Sequence, residues 1–252
     1  MELRNLWERV QGRYQQTLSK SLFPHRVKLR NKVPLISFTF DDFPRSALQT
    51  GGDILKRSGV RGTYYVALGL LGQTTVVGDI CNQDDLAAAF AEGHELGCHT
   101  FSHCHAWHTS PGSFEQSVID NRHSLGTLLP QAVFRTLSYP KADPRPRTKR
   151  RLAKYFLCCR AGGQSYNLGR ALRTHVTAYF LEQCRGDASA VKRVIDANAR
   201  DCGWLVFATH DVCPHPSRFG CTPGFFEEIV NYSVSSGATI LPVDQAWKVS
   251  TA

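Results

Sequence analysis

From residue 34 onward, short apolar runs rich in aromatic and β-branched residues alternate with stretches of helical spacing. The strand-like runs are Leu35–Phe40, Gly62–Ala67, His94–Cys98, Phe134–Tyr139, Tyr155–Arg160, His175–Phe180, Trp204–Thr209 and Ala238–Val243. Helices are expected between several of them. Asn82 caps one, with Asp85 three residues on and Gly93 as its stop. Ser113 and Gln116 form a capping box before Val118, Ile119, Leu125 and Leu128. Thr222-Pro223 opens a third, carrying Phe226, Ile229 and Val230, which Gly237 closes. Repeated strand–helix units imply a mainly parallel sheet, and seven or eight of them a closed or nearly closed barrel. Ahead of this array, Leu3, Leu6, Trp7, Val10, Tyr14 and Leu18 recur at helical steps among basic residues. They predict an amphipathic helix that packs on the main domain or lies on an anionic membrane surface, packing being the expectation.

The chain has 252 residues, 42% of them hydrophobic and 20% charged, which suits one large α/β domain or two small ones. No apolar run is long enough to span a bilayer, and the N-terminus lacks the apolar stretch of a secretion signal. Nine scattered cysteines predict reduced, buried thiols and a cytoplasmic location. The net charge of +9 is uneven. Residues 1–32 carry eight Lys and Arg against two Glu, and residues 141–154 carry seven against Asp143 alone. Such blocks are solvated faces or attract anionic surfaces and phosphates. No zinc-finger or RNA-binding signature accompanies them, so nucleic acid is not an expected partner.

Candidate chemistry gathers at the ends of the predicted strands. Asp41 and Asp42 follow Leu35–Phe40 directly. On an extended backbone adjacent side chains diverge, so one carboxylate can hold a metal while the other reaches substrate or water. Five of the ten histidines fall within residues 93–108: His94, His99, His103, His105 and His108. If the chain turns helically after its strand, His99 and His103 project from one face as an i, i+4 pair. Two histidines and one carboxylate, with positions left for water, make a catalytic metal set. A structural site on Cys98 and Cys104 is the competing arrangement, and it would leave the two aspartates without a role. Arg135 and Tyr139 lie in a further strand run, and His210 follows another. In barrels of this kind the active site collects at the C-terminal ends of the strands.

Thr39-Phe40-Asp41-Asp42, His99-Thr100-Phe101-Ser102-His103, Arg135 to Pro140 and Val206 to His210 occur in the order of the motifs of the polysaccharide deacetylases. These are the NodB-homology domains of carbohydrate esterase family four, and the resemblance spans roughly residues 34–247. It implies an α/β fold, a deformed (β/α) barrel, and a divalent metal, commonly zinc, that serves removal of acetyl groups from N-acetylated amino sugars. By resemblance Asp41 is the general base, Asp42, His99 and His103 bind the metal, and His210 is the general acid. Arg135 tunes Asp41, and the Tyr139 backbone N–H faces the oxyanion. Two features depart from the family pattern. Arg135 lies farther from Pro140 than the family's arginine usually does. The aspartate–tryptophan motif that orients the acid histidine is absent between residues 160 and 185, leaving Asp187 or Asp211 as candidates. His105, His108, His175 and His215 have no assigned role.

The expected organisation is a basic amphipathic segment over 1–32 and a NodB-homology domain over 33–252. The expected substrate is an N-acetylated oligosaccharide, polysaccharide or sugar precursor, reached at the inner membrane face if it is lipid-linked. A related hydrolase of a non-sugar C–N bond, and a metal-binding module without turnover, are the alternatives.

Overall fold

All six residues of Leu35–Phe40 (β1) are buried, as a parallel strand covered on both faces requires. In this computed structural model, which describes the backbone of residues 2–252 and the side chains of residues 11–252, β1 sits mid-sheet. The other staves are Thr63–Val66 (β2), Glu95–Cys98 (β3), Thr136–Ser138 (β4), Cys158–Ala161 (β5), Val176–Thr177 (β6), Tyr179–Phe180 (β7) and Trp204–Thr209 (β8). Neighbours in the order β6-β5-β4-β3-β2-β1-β8-β7 are all parallel. Only Ala178 separates β6 from β7. One extended stretch thus pairs with β5 at its start (Val176 opposite Arg160) and with β8 at its end (Tyr179 opposite Phe207). That stretch makes a nearly closed barrel. Thr239–Ile240 (β9) pairs with the first residues of β1, below the point where β2 begins.

The helices are Glu2–Ser21 (α1), Asp53–Arg57 (α2), Gln83–Ala91 (α3), Pro111–Leu128 (α4), Pro146–Leu152 (α5), Ala188–Asp201 (α6), Pro223–Ser235 (α7) and Val243–Thr251 (α8). Asn82 and Asp85 cap α3 reciprocally: each side chain accepts the other's backbone N–H, at 2.9 and 3.0 Å. The start of α4 differs from expectation. Pro111 takes the first helical position and Ser110 caps the Ser113 N–H at 3.1 Å, so Ser113 lies inside the helix. The run predicted over 238–243 keeps only two strand residues, because Pro242 turns the chain into α8.

Apolar packing is divided by the barrel wall. Phe38 stacks on Phe207 at 5.4 Å and meets Phe226 of α7 edge-on at 5.6 Å. Trp204 and Trp247 approach to 6.3 Å within a second cluster that includes Leu35, Cys158, Val176 and Ala178. Near the lower end of that cluster sits a buried carboxyl, Glu95. Thr136 and Thr63 hydroxyls donate to it at 2.6 and 2.8 Å, and the Asp244 N–H of α8 at 3.0 Å. Burial, then the charge of Asp244, pushes Glu95 up to about 7.

In its described part, α1 is not packed by the stripe that the sequence pattern selects. Gln15 and Ser19 are buried, while Tyr14 is 61% exposed. The buried Lys149 ammonium of α5 donates to the Ser19 backbone carbonyl, which ties α5 to the last turn of α1. Beyond α1, Arg26–Lys28 pairs antiparallel with Arg170–Leu172. No helix is long and apolar enough to cross a membrane among the described residues.

Candidate active site

Strand ends place the candidate groups together. The Asp41 N–H donates to the Thr209 carbonyl at 2.9 Å, extending the β1–β8 ladder by one residue. The backbone then turns: Asp42 and Phe43 are left-handed, at φ 60° and 49°. Asp41 and Asp42 still diverge, by this reversal and not along an extended strand. After β3 the chain makes no helical turn. Thr100 and His103 adopt φ 60° and 48°, and this loop brings the His99 and His103 rings to 5.0 Å between centroids. Left-handed backbone is costly for non-glycine residues and collects where a site demands it.

Asp42 Oδ1 lies 3.0 Å from His103 Nε2 and 3.4 Å from His99 Nε2. His99 Nδ1 donates to the Ser138 carbonyl at 2.9 Å, which leaves the lone pair on Nε2 facing the carboxylate. Burial holds the His103 imidazole below its ordinary pKa. Burial would raise the Asp42 carboxyl, but the His103 and His99 rings lower it by more, so it is ionised. The buried Asp42 Oδ1 has no hydrogen-bond partner among the described residues. A carboxylate and two imidazoles thus present ligand atoms within 4.8 Å of one another, with no donor that satisfies them. That is the donor set of a divalent cation, zinc being the usual occupant of two histidines and a carboxylate.

Asp41 is 4% exposed and faces another partner. Arg160 of β5, 1% exposed, donates through Nη2 to both Asp41 carboxylate oxygens and to the Ser138 hydroxyl. Its guanidinium lies over the rings of Tyr65 and Phe180, at 5.2 and 5.4 Å. Burial alone would lift the Asp41 carboxyl. Arg160, His99 and His210 outweigh it and hold Asp41 below the usual range. Arg135, expected in this role, is elsewhere. It precedes β4 where the site groups follow their strands, and its half-exposed side chain lies 3.9 Å from Asp244 at the barrel's other end.

Asp41, Asp42, His99, His103, Arg160 and His210 all line one cavity of about 610 Å³. His210 follows β8, and its Nδ1 donates to the Phe219 carbonyl at 3.2 Å, so its Nε2 is the free nitrogen. Neither Asp187 nor Asp211 hydrogen-bonds its ring. Asp187 caps α6 through the Ala190 N–H at 3.1 Å. Asp211 accepts from the Ser217 N–H and hydroxyl at 2.7 and 2.6 Å, which shapes the loop that carries Phe219.

Tyr139 lines the cavity, but its N–H is not free to meet an oxyanion. It donates to the Arg160 carbonyl at 3.1 Å in the β4–β5 ladder. The open donor lies two residues on. The Lys141 N–H, in a left-handed residue (φ 65°) of the cavity wall, has no hydrogen-bond partner among the described residues. A further cavity residue missed in the sequence is Glu182, two positions past β7. Its Oε2 is buried without a partner, and burial, with the charges of Asp41 and Asp211, pushes it up to about 8. His105 and His108 face each other at 4.2 Å on the rim loop, and His175 Nε2 lies 2.7 Å from Asp143 behind the cavity.

Residues 28–156 match the family model of the polysaccharide deacetylases. Comparison with curated protein sequences finds no match. Among solved structures, the chitin deacetylase of Colletotrichum lindemuthianum superposes with a TM-score of 0.62 at 16% identity, covering 86% of this chain and 89% of that one. A family 4 acetyl xylan esterase from Clostridium thermocellum, in complex with a cobalt ion, gives 0.60 at 19% identity over 85% and 91%. The family 4 carbohydrate esterase of Streptomyces lividans, in complex with acetate, gives 0.60 at 14% over 87% and 96%. At these identities the structural likeness is one of fold, the deformed (β/α) barrel. With more than half of its length matched by the family model, the chain belongs to the polysaccharide deacetylase family.

Proposed function

We propose that this chain is a metal-dependent hydrolase that removes the N-acetyl group from an amino sugar and releases acetate. One observation carries the reading: two adjacent carboxylates in a single cavity have separate partners. Asp42 faces two imidazoles, and Asp41 faces a buried guanidinium. The donor set of Asp42, His99 and His103 fits a divalent cation, which when bound supplies Lewis acidity toward the acyl oxygen and water. Asp41, kept ionised by Arg160, accepts the proton of the attacking water. Arg160 positions Asp41, with Ser138 as a second anchor for the guanidinium. The free Lys141 N–H donates to the developing oxyanion. An amine leaves poorly as an anion and needs a proton. His210 delivers it from Nε2, since the Phe219 carbonyl keeps Nδ1 protonated. Residues 33–252 form the catalytic unit in this reading, with 1–32 as an attached segment.

Metal content and acetate release across a panel of N-acetylated saccharides and simple acetamides test it. Asp42→Ala should lose metal and activity together. Asp41→Asn should retain metal and fold while kcat falls by about 10²-fold or more. A fully active Asp41→Asn variant would remove the proposed base, and turnover confined to non-sugar acetamides would remove the sugar.

A further inference from the structure

Two basic blocks separated by more than a hundred residues meet on one face. Lys20 and Arg26 of the first block line one shallow groove, and Arg26 lines the next one with Arg150 of the second. Lys149 joins the blocks through the Ser19 carbonyl, and the Arg150 guanidinium lies 5.4 Å over the Phe23 ring. Among the described residues, none of those three cations has a carboxylate within 4.0 Å, unlike Arg151 and Lys154, which both hold Glu115. On the same segment, Tyr14, Leu22 and Phe23 are 61%, 47% and 48% exposed. Leu22 continues the stripe of Tyr14 and Leu18 at four-residue steps, and its N–H still bonds the Leu18 carbonyl at 3.1 Å. Tyr14 and Leu22 point outward with Leu18 half-buried between them, while the polar Gln15 and Ser19 point inward.

We propose that this face docks on an anionic phospholipid bilayer, with Tyr14, Leu22 and Phe23 entering the interface and the cations meeting the headgroups. A helix with an outward apolar stripe among Lys and Arg has the make-up of an interfacial helix. A second copy of the chain is a poor occupant, since it would set two strongly basic faces against each other. Nucleic acid would satisfy the cations and leave the apolar side chains bare. The docked face also borders the cavity. Lys20 Nζ lies 3.4 Å from where a Cβ on Gly163 would sit, and Gly162 lines the cavity wall.

The test is flotation of the full chain with vesicles of phosphatidylcholine alone or with phosphatidylglycerol added, at low and high salt. Binding is expected only to the anionic vesicles and should be released by salt. Arg26→Ala and Arg150→Ala should each weaken it roughly fivefold, the equivalent of one cation near an anionic surface. Lys192→Ala, on the α6 face, should leave it unchanged. Tyr14→Trp should report entry into the interface as the emission it adds to that of the parent's four tryptophans, blue-shifted and quenched by brominated lipid, without disturbing the fold. Equal binding to neutral vesicles would overturn the proposal. So would an emission from the Tyr14→Trp variant that neither shifts nor quenches in the anionic-vesicle complex, or a stable dimer that Phe23→Ser dissolves.

Discussion

Arg160→Gln isolates a buried ion pair in the cavity wall. Arg160 and Asp41 are both nearly inaccessible, so little solvent screens them. At a contact distance near 3 Å and an effective dielectric of about 20, their attraction is about 5 kcal/mol. Removing one partner of a buried pair costs about 3–5 kcal/mol, because the other charge stays buried and unpaired. A glutamine amide can still donate one hydrogen bond, worth about 1 kcal/mol. The remainder, about 2–4 kcal/mol, is felt by the ionised form alone and therefore raises the Asp41 pKa. In the parent protein the carboxyl is held below its ordinary value of about 3.9, so the pair's stabilisation is present above that pH and lost as pH falls through the folded value. In the variant, burial dominates and the folded value lies above the ordinary one. The deficit is then full at pH 7 and closes as the carboxyl protonates at lower pH. Urea melts of both proteins at about pH 7 and about pH 4 should therefore show a gap of about 2–4 kcal/mol that shrinks at the lower pH. In parallel, the acid limb of kcat/KM should move to higher pH. Arg135→Ala, half-exposed and at the other end of the barrel, should change stability by less than about 0.5 kcal/mol and leave that limb in place. A gap independent of pH, or an unmoved limb in Arg160→Gln, would refute the assignment of Arg160 to Asp41.

Glu182 is pushed up to about 8 in the folded chain, so the fold binds its proton more tightly than the unfolded state does. Its contribution to stability should be present in acid and lost as pH rises toward 8. Glu182→Gln should flatten that part of the Tm–pH curve, and an equally steep curve in the variant would exclude it as the cause. At Gly97 of β3 a methyl group would meet the Tyr65 ring at 2.4 Å, and Tyr65 in turn packs on Arg160. Gly97→Ala should cost about 1–3 kcal/mol and lower turnover, readable as a Tm drop of several degrees, and an unchanged Tm would show that the ring moves freely.

The sequence pattern is most informative where a segment answers to one demand. β1 and β8 are buried on both sides, and their apolar runs give the strand bounds residue for residue. The Asn82–Asp85 box is local chemistry and appears where its spacing puts it. The α6 helix, by contrast, is strongly amphipathic and opens on the Asp187 cap, a signal masked when Asp187 is weighed as a partner for His210. Arg160 is hidden for a different reason. Its assignment needs the phase of a four-residue strand, in which Cys158 and Arg160 share a face, together with the knowledge that β5 lies across from β1. The order of the family motifs points to Arg135, but its spacing from Pro140 is already too long, and it lies at the wrong end of β4. The Tyr139 N–H cannot be judged from sequence at all, because only strand pairing shows which backbone donors are already committed. At the described end of α1, Gln15 and Ser19 are buried while Tyr14 is exposed, a tertiary outcome that the local apolar spacing does not carry.

The left-handed residues around the cavity bear on how the protein fails when heated. Asp42, Phe43, Thr100, His103 and Lys141 are five of the nine non-glycine residues with positive φ among those described. At about 1 kcal/mol each, the rim stores roughly 5 kcal/mol, which is comparable with the whole stability of a typical domain. Only the buried β-ladders beneath can hold such conformations in place. As those ladders loosen, the rim has the most to gain by relaxing, and its relaxation scatters the ligand atoms of Asp42, His99 and His103. Inactivation should thus come at a lower temperature than melting of the barrel, with metal affinity fading in the interval while the helices and strands are still formed.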